Sequence, residues 1–126
     1  MGVLASHTMI IPSISGIRFT TDENMGDIAT RYAAAFAGAH RGKIVIGRDA
    51  RPSGKAITKT IIKTLADCGC TATDLGIIPT PTLTLALIKL KAAGGIMVTA
   101  SHNPTEWNGL KLFDANGDYL TYVLGA

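Results

Sequence analysis

The residues best suited to chemistry lie in one short stretch, Thr99-Ala100-Ser101-His102-Asn103-Pro104, closely followed by Asn108-Gly109-Leu110-Lys111. They come after Gly95-Ile96-Met97-Val98, a continuous apolar run that reads as a buried strand. A serine at the end of such a strand is carried by a rigid element and presented to a cleft. Strand-end loops of α/β sheets are where ligands gather. Around Ser101 stand the hydroxyl of Thr99, the imidazole of His102, the amide of Asn103, a turn-fixing Pro104 and the ammonium of Lys111. Hydroxyl, imidazole and ammonium groups about one serine suit anionic oxygen chemistry, and phosphate in particular.

Each of these residues also has a plainer reading. His102 is either a phosphate contact or a structural hydrogen-bonder. A hydrolytic Ser101–His102 pair is disfavoured, because adjacent side chains of an extended segment point apart and no Gly-x-Ser-x-Gly elbow is present. Asn103 precedes a proline, so its expected part is to tie the loop backbone. Lys111 is either an acid–base or electrostatic group or a solvated strand lysine. Arg48, Asp49 and Arg51 form an alternating charge cluster that either contacts a ligand or builds the cleft floor by internal ion pairs. Trp107 reads as packing beside the loop rather than as a sugar platform.

These groups need a scaffold, and the patterning supplies one. Ser13 to Phe19 alternates as a first strand, and Gly26-Asp27 opens a helix with Ile28, Tyr32, Ala35, Phe36 and Ala39 on one face. Lys43 to Gly47 is a short apolar strand, and Arg48 to Gly54 is a loop in which Ser53 could cap the next helix. That helix buries Ile57, Ile61, Ile62 and Leu65 and stops at Gly69. Thr71 to Gly76 is a weaker strand. Thr82 to Lys91 fits strand or helix, and its length favours helix. Strands follow at Gly95 to Ala100 and Gly109 to Phe113, and Asn116-Gly117 marks a turn. The alternation predicts an α/β domain, a three-layer α/β/α arrangement with a mixed, mostly parallel sheet.

Composition narrows the function classes. The chain has 126 residues, 47% hydrophobic and 17% charged, enough for one core. Net charge is +3, with no run of five basic residues and only one Trp, three Tyr and three Phe. That argues against nucleic acid as a partner and fits small anionic ligands. No apolar run reaches the ~20 residues of a membrane span, and no secretory signal is visible. Cys68 and Cys70 lack zinc-ligand spacing and read as buried small hydrophobes in a reducing, cytoplasmic location. Residues 1–12 are set aside as an extension, and 13–126 are taken as the domain.

At Thr99 to Pro104 the chain resembles the α-D-phosphohexomutase superfamily of phosphoglucomutases, phosphomannomutases and phosphoglucosamine mutases. Four pieces carry the likeness in order: Ser15-Gly16-Ile17-Arg18, Gly47 to Gly54, Gly95 to Pro104, and Trp107-Asn108-Gly109-Leu110-Lys111. Phe19 stands where such proteins commonly have glycine after the arginine, in the turn expected to present Arg18. The resemblance covers an N-terminal first domain only, with the later domains as expected partners. It implies Ser101 as the phosphoryl carrier, with Lys111, His102 and Arg18 as catalytic companions. Arg48, Arg51, Thr99 and Asn103 would contact substrate phosphate, and Ser101 would give one ligand to Mg²⁺. It further implies a phosphosugar substrate, a hexose 1,6-bisphosphate intermediate, and interconversion of hexose 1-phosphate and 6-phosphate.

A different class remains in view, a non-catalytic module that keeps the fold and binds phosphate or a partner. The abrupt end over Thr121 to Ala126 and the lack of an acidic metal loop favour it for the isolated chain, for which inactivity, negligible Mg²⁺ affinity and self-association are the expectations.

Overall fold

The computed structural model describes residues 10–13 and 16–120. The first nine residues, Ile14-Ser15 of the first motif, and the tail from Thr121 lie outside the described residues. Chain order is β1 (Ile10–Ser13), β2 (Gly16–Thr20), α1 (Met25–Ala39), β3 (Lys43–Arg48), α2 (Gly54–Asp67), β4 (Thr71–Ile77), α3 (Thr80–Lys89), β5 (Gly94–Val98) and β6 (Trp107–Phe113). The strands form one six-stranded sheet in the order β1-β2-β6-β5-β3-β4.

The helices form where local chemistry permits. Pro79 and Pro81 flank the start of α3, where a missing N–H costs nothing. Leu83 and Leu87 then bury fully, which settles the Thr82–Lys91 segment as helix. At the end of α2, Gly69 takes φ +85° and the Cys70 amide bonds the Leu65 carbonyl at 2.9 Å. The buried face of α1 is Ile28, Ala29, Ala33, Phe36 and Ala37, not Ala35 and Ala39. Alanines are small enough that they do not fix the phase of a stripe, and Ile28 and Phe36 decide it.

Helices cover both faces of the sheet. On one face, α1 and α2 bring Phe36, Ile57, Ile61 and Leu65 against Ile44, Ile46, Ile96, Leu110 and Phe19. On the other, α3 sets Leu83 and Leu87 against Val45, Met97 and Phe113. Among the described residues no helix is long and apolar enough to cross a membrane.

The sheet is mixed, but its parallel share is smaller than the patterning suggested. Only β3–β4 and β3–β5 are parallel; β1–β2, β2–β6 and β5–β6 are antiparallel. A parallel crossover needs about a dozen residues or more. The loop 99–106 is too short for one, so β6 turns back beside β5. The first strand is also two strands: Ile10 to Ser13 pairs antiparallel with Gly16 to Phe19. Ile10, Ile11 and Pro12, set aside with the extension, thus belong to the edge strand. Phe19 is fully buried on β2, so Arg18 is presented by a strand and not by a turn.

Candidate functional site

β3 has β4 on one side and β5 on the other, reached through helices on opposite faces of the sheet. After β3 the chain leaves toward β4; after β5 it leaves toward β6. The carboxyl ends of β3 and β5 therefore flank a point where the winding reverses, the usual place for a ligand crevice in such sheets. Both loops singled out by sequence, 48–53 and 99–106, start there.

Asp49 joins the two loops. Its amide donates to the Val98 carbonyl at 3.2 Å. Its carboxylate accepts the Thr99 hydroxyl at 2.5 Å, the Arg51 Nε at 3.1 Å and the Arg51 amide at 3.2 Å. Thr99 in turn accepts the Ser101 amide on Oγ1 at 2.9 Å. The Arg51 guanidinium donates to the carbonyls of Ser101 (2.7 Å), Pro104 (2.8 Å) and Trp107 (3.1 Å). Ser101 is thereby held from both sides of its backbone. Arg51 acts as an internal clamp, so of the two roles left open for it, ion pairing within the cleft floor is the one its geometry serves. Thr99 likewise spends its hydroxyl on Asp49 and Ser101.

Ser101 itself has φ +55°, a left-handed backbone that is uncommon outside glycine. Such a conformation persists only where surrounding bonds impose it, and it tends to occur at functional positions. The serine hydroxyl makes no hydrogen bond among the described residues. Ser101 lines a depression of about 300 Å³ together with Arg18, His102, Asn103 and Pro104. His102 is exposed and has no side-chain hydrogen bond among the described residues. Asn103 ties the loop through its amide, which donates to the Ala100 carbonyl at 3.1 Å.

Arg18 and Lys111 complete the cationic border. Arg18 pairs with Gly109 across β2–β6, and Lys111 pairs with Met97 across β5–β6. Both thus stand on the sheet face that α3 covers farther along. A Cβ on Gly109 would collide with the carbonyl oxygens of Ile17 and Thr99, so only glycine lets these strands close beneath Arg18. Neither cation has a carboxylate within ion-pair distance among the described residues. Lys111 lies 6.0 Å from the Tyr119 ring centroid. Burial, then the charge of Arg18, lower its pKa, while Asp49 opposes them. A half-buried ammonium held beside another cation is one that an incoming anion would stabilise.

Arg48, grouped with the phosphate contacts by sequence, is not brought to Ser101. Its side chain turns the other way, over Gly54 and toward Asp74, with Nη1 4.0 Å from Oδ1. Alternation along β3 explains this, because Arg48 follows Ile44 and Ile46 onto the α1–α2 face. Ser53 sits at the N-cap of α2 but makes no cap bond; its hydroxyl accepts Asn108 Nδ2 at 2.9 Å. Asn108 is fully buried and also accepts the Gly109 amide at 2.9 Å. Asp49, read from sequence as part of the charge cluster, serves the internal ion-pair alternative, whereas Asn108 is an organising residue to which sequence reasoning gave no role. The signal for Asn108 is an uncharged polar residue at the start of a mainly apolar strand, next to a glycine.

The donor set does not fit magnesium by itself. Among the described residues no group of three His, Cys, Asp or Glu side chains converges. Ser101 offers one hydroxyl oxygen in a depression it shares with the Arg18 cation, whereas Mg²⁺ takes several oxygen ligands, usually carboxylate or phosphate.

Comparison with known proteins gives a consistent result. The family model described as phosphoglucomutase/phosphomannomutase, alpha/beta/alpha domain I, matches residues 11–121. The chain is 43% identical over 108 residues to the probable phosphoglucosamine mutase of Methanosphaera stadtmanae, covering 82% of this chain and 24% of that one. It is 38% identical over 109 residues to the phosphoglucomutase/phosphomannomutase of Thermococcus kodakarensis, covering 81% and 24%. A crystal structure of a phosphoglucomutase/phosphomannomutase family protein from Burkholderia thailandensis superposes with TM-score 0.76 at 27% identity, over 85% of this chain and 26% of that one. The chain therefore spans about a quarter of the length of the relatives it matches.

Proposed function

Because the chain belongs to the phosphoglucomutase/phosphomannomutase family as its alpha/beta/alpha domain I, we propose that Ser101 is the phosphoryl-carrying nucleophile of a hexose-phosphate mutase. The observation that carries this reading is the state of Ser101. Its backbone is held left-handed by Thr99 and Arg51, and it lines a depression with Arg18, a cation that, like its neighbour Lys111, has no carboxylate within ion-pair distance among the described residues.

In this mechanism the phosphoserine gives its phosphoryl group to a hydroxyl of a hexose monophosphate. The P–Oγ bond breaks, a P–O bond to the sugar forms, and the sugar hydroxyl's proton leaves to a base. The bisphosphate then reorients, and Ser101 takes the phosphoryl group from the other end. Splitting the transfer through a covalent carrier replaces one difficult step by two easier ones. A phosphoserine carries about −1.5 to −2 charge near neutral pH. Arg18 and Lys111 offset that charge, and the transition state calls for positioning and charge neutralisation. The lowered pKa of Lys111 suits it to pass the sugar proton. His102, exposed at the border, is placed to contact the phosphosugar. Magnesium ligands would have to come from other domains, together with the groups that choose the sugar. Glucosamine phosphate is the favoured sugar, on the name of the Methanosphaera relative.

The test is a chimera in which this chain replaces the first domain of the Methanosphaera protein. Interconversion of glucosamine 1-phosphate and 6-phosphate is expected, falling at least about 1,000-fold in Ser101→Ala. A folded chimera that still binds phosphosugar but turns over no faster than its Ser101→Ala form would instead favour a non-catalytic binding module.

A further inference from the structure

A second group of cations lies away from Ser101, in a groove between α2 and β4. Arg48, Lys55, Thr58, Lys59, Ile62 and Asp74 enclose a cavity of about 270 Å³. Lys55 and Lys59 stand one helical turn apart, an arrangement that destabilises a helix through like-charge repulsion. On the same helix Lys63 is paired with Asp67 at 2.9 Å, whereas Lys55 and Lys59 have no carboxylate within ion-pair distance among the described residues. Arg48 has a side chain only 19% exposed, and its counter-ion Asp74 is 4.0 Å away. Asp74 is further engaged, since Oδ1 accepts the Gly76 amide at 2.8 Å. A largely desolvated guanidinium with so distant a partner is poorly compensated. On the wall of the same cavity, Thr58 is 2% exposed and its hydroxyl has no hydrogen-bond partner.

Three cations against one carboxylate leave two positive charges in surplus, which matches a dianion. The Ile62 side chain adds an apolar wall for a short carbon body. The volume falls just under the ~300–1,000 Å³ of pockets for drug-sized ligands, so it is too small for a nucleotide. We propose that the α2–β4 groove is a second anion site, taking a small phosphate monoester between Arg48, Lys55 and Lys59. It is separate from the serine depression, with which it shares no lining residue. It does not depend on the mutase reading.

The experiment is a titration of the ¹⁵N-labelled 126-residue chain with glycerol 3-phosphate at constant ionic strength, followed by amide shifts. Saturating shifts are expected at Lys55, Thr58, Lys59 and Asp74. The double variant Lys55→Gln/Lys59→Gln should weaken that site at least tenfold, and its spectrum reports directly that the fold is kept. Arg18→Gln should leave it unchanged. Shifts in the groove that do not saturate, an affinity unaltered by the double lysine variant, or loss of the groove response in Arg18→Gln would each overturn the proposal. The amides of 99–111 report the serine site separately, so failure of one site is distinguishable from failure of the other.

Discussion

The two halves of the sheet are built from the same kinds of strand but finished differently. In the parallel half, Ile44, Val45 and Ile46 are fully buried because helices press on both faces. In the antiparallel half, Ile17, Phe19 and Leu110 are buried beneath α1 and α2, but the opposite face carries Arg18 and Lys111. The α3 helix packs on Val45 and Met97 and leaves Arg18 at the open serine depression. The lesson is that the parallel half supplies rigidity and the antiparallel half supplies charge. The loop bearing Ser101 runs from one to the other.

The comparison can be broken most severely where the halves are joined. Gly109→Val should force β2 away from β6, at a cost of about 3 kcal/mol or more. Urea unfolding should show a lower midpoint or no cooperative transition. Next comes the hub of the crevice. Asp49→Asn removes the charge that holds Arg51 and Thr99, and should cost about 2 kcal/mol by the same measurement. Its effect should concentrate in faster amide exchange across 99–106, with β3 and β4 unaffected.

Smaller effects sharpen the contrast. Ser101→Gly relieves a left-handed non-glycine residue, worth about 1–2 kcal/mol, against about 0.5–1 kcal/mol of added chain entropy. A small net gain in thermal stability is expected alongside loss of phosphoryl acceptance, the pattern of a position kept for function. Lys111→Met tests the charge in the open half. The folded-state pKa of Lys111 lies below its unfolded value, so the folded protein sheds this proton first. Between the two values the unfolded state binds more protons, and stability rises with pH; below the folded pKa the full penalty remains. Replacing the lysine should therefore raise stability at neutral pH by less than about 0.5 kcal/mol after solvent screening. It should also remove that alkaline gain. A melting temperature lowered by Lys111→Met would contradict the account.

Much of this architecture is legible in the sequence, and the parts that are not share a cause. Apolar periodicity locates α2, continuous apolar runs locate β3 and β5, and segment length decides for helix at α3, where periodicity alone fits strand or helix. The β1–β2 hairpin escapes notice because Ser13 to Phe19 reads as one alternating run, while Ile10 to Pro12 fall in the segment set aside as an extension. Strand direction is set by loop length, which requires knowing where β5 and β6 end. The Ser101 loop stands out through its residue types, but the assignment of Arg48 and Arg51 to phosphate does not follow from type. Two arginines three residues apart on a strand and its loop point in different directions. Only the fold shows that one clamps the serine loop while the other enters the α2–β4 groove. Asp49 and Asn108 hold the site together through hydrogen bonds between distant segments, which leave no periodic trace.

The central claim, that Ser101 carries the phosphoryl group, is tested most directly by mapping phosphate on the protein. The chimera with the remaining domains of the Methanosphaera protein is incubated with glucosamine 1,6-bisphosphate and Mg²⁺, digested, and examined by tandem mass spectrometry. The account predicts one phosphate, on Ser101, discharged when glucosamine 1-phosphate is added in excess and absent from Ser101→Ala. Phosphate found on another residue of this chain, or turnover in Ser101→Ala close to that of the unmodified sequence, would contradict it.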